Sequence, residues 1–494
     1  QSKMYHKGIR CSDCHDPHTA RLKQQGNQVC TSCHQHPTAK YDSVAHHFHP
    51  PGPGTQCVDC HMPATTYMGV DARRDHSFRI PRPDISLAID TPNACAACHL
   101  EPGNVSEEKR PLLPLYQDWL AAAREGDAEV QAELQRVNDW CDAACEKWYG
   151  ENRRRDQHFG LAIAAGQRGD PTAAEQLQQL LAQRGAQAPY IARATALDVL
   201  RQVDPQAAAA AAVKAMEDEH PLVRSTATSA LLASPQPTRS VSLLEKALAD
   251  PVRVVRTEAA RNLLEYPQSM WSASAAADLR QALSELSAGL EYSNDRAGAH
   301  LTLAILAELQ GRKQQAITHY ETAIAVEPQA TGARTNLAKL LEDSLPPSQA
   351  AATSPSPLQQ EITRLRQEEL PLLARDAGLL PQAAALQYRY GLALYLDGQK
   401  EAALEYLRKA AELDEVEVSF AEATAMLLES LQRWDEALHW ARDAVRRDGG
   451  SPRSRQLLQR IQQQAAQAAA AVPAGRGSDT NSSPEEPTQS LPES

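Results

Sequence analysis

The chain has 494 residues, 42% of them hydrophobic, and a formal net charge of −12, enough for two to four domains with sizeable cores. The acidic balance and the lack of a basic stripe exclude a phosphate-gripping nucleic-acid reader. No run of 18 apolar residues occurs, which excludes a membrane-spanning helix within this sequence.

Residues 11 to 99 repeat one signature four times: Cys11-Ser-Asp-Cys14-His15, Cys30-Thr-Ser-Cys33-His34, Cys57-Val-Asp-Cys60-His61 and Cys95-Ala-Ala-Cys98-His99. Cys-x-x-Cys-His is the attachment site of a c-type haem. Two thiols at this spacing can each bond one vinyl group of the same porphyrin, and the adjacent imidazole then lies under the iron as proximal ligand. The rival reading is zinc, because Cys11, Cys14, Cys30 and Cys33 alone also satisfy a zinc-ribbon spacing. A four-cysteine zinc site has no need of a His after every pair. The expectation is therefore four covalently attached haems c.

As protein, this region is poor in core material. Only 18 of the first 99 residues are Val, Ile, Leu, Met, Phe, Tyr or Trp, and nine are Pro. Such a composition reads as disordered unless macrocycles supply the apolar bulk. Short helices after each motif, long loops, almost no sheet and an apo form that does not fold are expected.

Eleven of the 16 His lie here. His15, His34, His61 and His99 are the proximal candidates, which leaves His6, His18, His36, His46, His47, His49 and His76 for four distal positions. His18 follows His15 too closely to reach the far face of the same haem, so any iron it binds belongs to a neighbouring haem. The same holds for His6, just before Cys11. The haems must then be close together.

The segments HKGIRCSDCHDPHTARL, HHFHPPGPGTQCVDCHMP, YMGVDARRDHSFRIPRPD and TPNACAACH resemble multihaem cytochromes c of the nitrite reductase and octahaem group, above all bacterial members in which a tetrahaem module precedes helical repeats. The resemblance implies His6, His18 and His76 as distal ligands, with one of His46, His47 or His49 as the fourth and His49 favoured. It departs from the nitrite reductases at one point. Those enzymes carry a Cys-x-x-Cys-Lys haem, and every motif here ends in His.

From about residue 106 the composition turns to Ala, Leu, Gln and Glu with helical periodicity. A helical bridge rich in Trp and Leu is expected over 106–155. It holds Cys141 and Cys145, which read as a strained disulfide or a plain thiol pair rather than a haem site. HEAT-like repeats follow over 156–268, superimposing through Arg193, Arg224 and Arg256, then Ala196, Ala227 and Ala259, then Leu200, Leu231 and Leu263. Residues 269–450 read as tetratricopeptide-like repeats. Ala316, Tyr320 and Ala323, then Ala403, Leu407 and Ala410, then Ala437, Ala441 and Ala444 occupy the second helices, with Gly391 and Ala425 on first helices. An insertion lies near 345–380, a capping helix over 451–472 and a solvated tail over 473–494. The fold class expected is mainly α: a loop-rich multihaem module over 1–105, then an α-solenoid.

These features point to an electron-transfer protein, not a substrate-converting enzyme, whose repeats dock a redox partner protein or copies of itself. Two alternatives stand beside it: a subunit of an extracellular cytochrome filament, and a reductase with one open haem. Haem c attachment takes place outside the bacterial cytoplasm, so a periplasmic or cell-surface location is expected, with a leader removed before Gln1.

Overall fold

The computed structural model describes residues 2–34, 38–67, 71–89, 91–151, 158–185, 188–346 and 354–471. It is mainly α-helical and divides into two compact units, Gln1–Leu283 and Ser284–Ser494. The division falls within the helix Ala275–Glu291, beyond the boundary expected near residue 268.

In the first unit the short helices Cys11–Cys14, Cys57–His61 and Ala94–His99 hold both thiols of their motifs. The cause is geometric, since residues three apart on one helical turn share a face, as two thiols aimed at one ring require. Gln28–Thr31 holds only the first thiol of the second motif and is followed by Thr38–Tyr41 and Val44–His47. The only sheet among the described residues is an antiparallel hairpin, Ala64–Tyr67 with Asp71–Arg74. Arg74 ties it to the third motif, donating to the carbonyl of Val58 and pairing with Asp59. Two bridge helices follow, Tyr116–Arg124 and Ala128–Tyr149. Asp127 caps the second through the N–H groups of Glu129 and Val130.

The HEAT-like segment builds one continuous core. Ala196, Leu200, Ala227, Leu231, Ala259 and Leu263 are all buried in it, as the superposed repeats require. The Arg positions form a ladder that fixes one repeat to the next. Arg193 makes a two-bond clasp on Asp218 (2.7 and 3.0 Å), and Arg224 makes the same clasp on Asp250 (2.7 and 3.0 Å). Arg256 donates to the carbonyl of Asp250. Planar guanidinium forks suit such paired acceptors.

In the second unit, helix hairpins run from Ala297–Leu309 with Lys313–Val326 to Val418–Ser430 with Trp434–Arg447. The residues assigned to the tetratricopeptide positions are buried throughout. Gly391 shows why its position takes a small residue, because a Cβ there would lie 3.0 Å from Leu407 Cγ and 3.1 Å from its backbone nitrogen. The expected insertion is largely structure. Its helix Pro357–Leu379 packs back on Ala333–Glu342, and only 347–353 lies outside the described residues. The helix Pro452–Ala471 covers the end of the stack with Leu457 and Ile461, and the Ser451 hydroxyl accepts from the backbone of Ser454 at its start. The expected tail lies outside the described residues.

Candidate haem-binding site

The four motifs form a connected series. Cys14 lies close enough to Cys30 and Cys33 for their charges to raise its pKa further, after burial. The thiols of Cys30 and Cys57 lie close enough to shift each other's pKa. Burial pushes Cys60 up to about 11, with Cys95 and Cys98 adding to the shift. Asn27 fastens the second motif to the third: its amide donates to Asp42 and to the carbonyl of Thr55, and its oxygen accepts from the backbone of Cys57. Each motif therefore adjoins the next in chain order.

The imidazoles are arranged in opposed pairs. His15 faces His76 with ring centres 6.3 Å apart, His61 faces His46 at 6.2 Å with planes 9° from parallel, and His99 faces His49 at 6.1 Å. Two imidazoles binding one metal from opposite sides through bonds of about 2 Å place their ring centres about 6 Å apart. In four of these six rings Nδ1 donates to a backbone carbonyl: His15 to Ala20, His61 to Arg79, His76 to Arg74 and His49 to His47. A carbonyl can only accept, so the proton sits on Nδ1 and the Nε2 lone pair is left for a metal, as in most histidine ligands. Burial, then neighbouring His residues and, at His99, the Arg136 charge, hold His46 and His99 below the usual imidazole range. The donor sets thus fit bis-imidazole haem.

Among the described residues no group of three or more His, Cys, Asp or Glu is arranged to hold a bare metal ion. Cys11, Cys14, Cys30 and Cys33 do not converge into the zinc ribbon that their spacing permits.

Placement of the distal candidates differs in part from expectation. One of His46, His47 and His49 was expected to face a proximal ring, and two do, His46 and His49. His47 instead supports His49, accepting from its backbone N–H at 3.2 Å. His18 is exposed, and among the described residues no imidazole faces His34 or His18. The side chain of His6 and all of His36 lie outside the described residues.

The bridge helix Ala128–Tyr149 supplies residues that sequence reasoning did not assign. Glu133 is buried and accepts from the N–H of Glu101, the amide of Asn104 and the guanidinium of Arg136. The Arg136 bond is the main reason its carboxyl is held at about 2, with Asn104 and the Glu101 N–H assisting against burial. Arg136 also donates to the carbonyl of His99 at 3.0 Å, and Trp140 stacks on the His99 ring. The Trp-rich composition of the bridge was the one available signal. Glu133→Leu is expected to leave the Glu101 N–H and the Asn104 amide, just beyond the fourth motif, unpaired and to cost about 2–4 kcal/mol. Faster amide exchange over residues 95–105 would register it.

No disulfide joins Cys141 to Cys145. Four residues apart on an unbroken helix, they would close only a strained disulfide. Cys141 is buried and packs beside Cys95, whose pKa it helps to raise.

Fold and site together define a helical-repeat protein whose N-terminal part carries Cys-x-x-Cys-His motifs. Residues 4–39 match the family described as a doubled CXXCH motif, which points to covalently bound haem c, and residues 180–264 match HEAT repeats. No curated protein matches the chain. Among solved structures, it is similar to MamA from Desulfovibrio magneticus RS-1 (16% identity, 40% of this chain and 97% of that one, TM-score 0.26). It is also similar to yeast Tom70 (14% identity, 72% of each chain, TM-score 0.34) and to a human IFIT1 dimer (15% identity, 70% and 81%, TM-score 0.31). Among the described residues no helix is long and apolar enough to cross a membrane.

Proposed function

We propose that this chain is a tetrahaem c-type cytochrome that carries electrons outside the cytoplasm, with the helical repeats docking a partner protein or a neighbouring copy. The opposed imidazoles carry the reading, since three proximal His each meet a second ring at a separation that suits one iron between them. In this reading Cys11 with Cys14, Cys30 with Cys33, Cys57 with Cys60 and Cys95 with Cys98 form the thioethers. His15, His34, His61 and His99 are proximal, His76, His46 and His49 are distal to the first, third and fourth, and His6 or His18 remains for His34. Haem c supplies one-electron ferric–ferrous chemistry. The protein's part is to close both axial positions against substrate and to keep neighbouring motifs in contact. This favours a carrier over an enzyme.

The test is low-temperature EPR of the oxidised protein, produced in cells able to mature cytochromes c and quantified against total iron. Four irons per chain with low-spin ferric signal alone is the expected result. A high-spin share of about one quarter would mean one open iron and overturn the closed carrier. Zinc in place of haem would overturn the whole reading.

A further inference from the structure

The fourth motif differs from the others in what it packs against. One face of the helix Ala128–Tyr149 lies on it, through residues at helical spacing. Val137 and Cys141 pack on Ala96, and the Cys141 thiol meets that of Cys95. Trp140 stacks on the His99 imidazole, with ring centres 4.0 Å apart and planes 29° from parallel. Trp148 meets Trp140 edge-on and stacks on Phe48 (4.4 Å, 5°), the residue next to His49. Among the described residues no other motif His stacks on an indole.

We infer that Trp140 is a positioning residue for the axial ligand of the fourth haem, and that it gives this haem a redox behaviour distinct from the other three. The inference rests on the tetrahaem reading. His99 is held by the Arg136 guanidinium on its carbonyl and by the indole on its ring. The indole limits rotation of the imidazole about the metal–nitrogen axis and keeps water from that face of the ring. Axial-ligand orientation and local dielectric are the means by which a protein tunes haem potential. Water admitted beside the ligand favours the more highly charged ferric state, so loss of the indole lowers the potential. Phe at this position keeps an aromatic face on His99, whereas Leu does not.

The experiment compares the full-length holoprotein with Trp140→Leu and Trp140→Phe by potentiometric titration and EPR, after haem per chain has been counted. In Trp140→Leu one haem of four is expected to shift its reduction equilibrium about tenfold toward the ferric form, about 59 mV for a one-electron couple. One low-spin EPR component should change its g-values with it, and Trp140→Phe should retain most of both properties. Four haems with titration and spectrum unchanged in Trp140→Leu would overturn the inference and leave the tetrahaem reading intact. A wild-type count other than four would overturn that reading instead. Should Trp140→Leu bind fewer haems, Trp140→Met, which keeps bulk without an aromatic face, carries the same comparison with the same two outcomes.

Discussion

Replacing Cys57 and Cys60 together with Ser is expected to remove one haem and, with it, the order of most of the first hundred residues. Among the described residues up to His99 only Pro83, Asn93 and Ala96 are buried, so the polypeptide there has almost no core of its own. Ordering each residue costs about 1–2 kcal/mol, and burial returns about 25 cal/mol per Å² of apolar surface. Three buried residues cannot close that gap, and covalently held macrocycles can. The third motif occupies an inner place in the series, with Cys57 against Cys30 and Cys60 near Cys95 and Cys98, so its loss reaches both neighbours. The repeats have a separate core and should survive. Timed proteolysis, run beside a haem count and far-UV circular dichroism, should show rapid cleavage before about residue 105 with most helicity kept. An N-terminal region that stays resistant after losing that haem would sink the idea that the haems serve as its core.

Asp218→Ala is expected to be the most damaging single change in the HEAT-like segment. The Arg193 and Asp218 side chains are 3% and 2% exposed, and Asp218 accepts both arms of the guanidinium as well as the backbone N–H of His220. Removing the carboxylate strands a charge in the core, a defect that costs about 3–5 kcal/mol. Urea denaturation followed by helical signal would measure it. The double replacement Arg193→Met with Asp218→Leu should recover much of the loss, because two apolar side chains leave no charge unpaired. A single mutant within about 1 kcal/mol of wild type would show the clasp to be energetically idle.

The same pair sets a pH dependence. Burial pushes the Asp218 carboxyl up, but the Arg193 bonds, the His220 N–H and the Arg184 charge outweigh it and hold the carboxyl below its ordinary range. A group depressed in the folded state contributes its full stability above the unfolded carboxylate pKa of about 4 and loses it as pH falls through the lower folded value. Wild type should therefore lose more stability on acidification than the double mutant does.

Legibility of the chain from sequence was uneven for physical reasons. The tetratricopeptide positions were readable because close helix packing admits only small side chains at fixed intervals, as the fit of Gly391 beneath Leu407 shows. Arg193, Arg224 and Arg256 were readable as a repeat, yet their partners Asp218 and Asp250 were not, since nothing local marks an acceptor that lies one repeat further along. The expected insertion near 345–380 was helical because Pro357–Leu379 finds a packing partner in Ala333–Glu342.

At the candidate site, the sequence by itself pointed to covalently bound haem c. The spacing within Cys-x-x-Cys-His is local, and in three of the four motifs one helical turn holds both thiols. Only the tertiary structure decided which second ring meets His15, His61 and His99. His76 reaches His15 because the hairpin Ala64–Arg74 returns the chain, and Arg74 and Arg79 lend carbonyls to His76 and His61 on the way. His46 and His49 separate to different partners because Phe48, between them, takes a left-handed backbone (φ 57°) that turns the chain. The contact of Trp140 with His99 likewise depends on where a long helix comes to rest, which is settled by burial of Glu133, Val137 and Cys141 along its face. Spacing along the chain fixes bonds made within a turn, whereas pairing across the fold is fixed by loop path and packing.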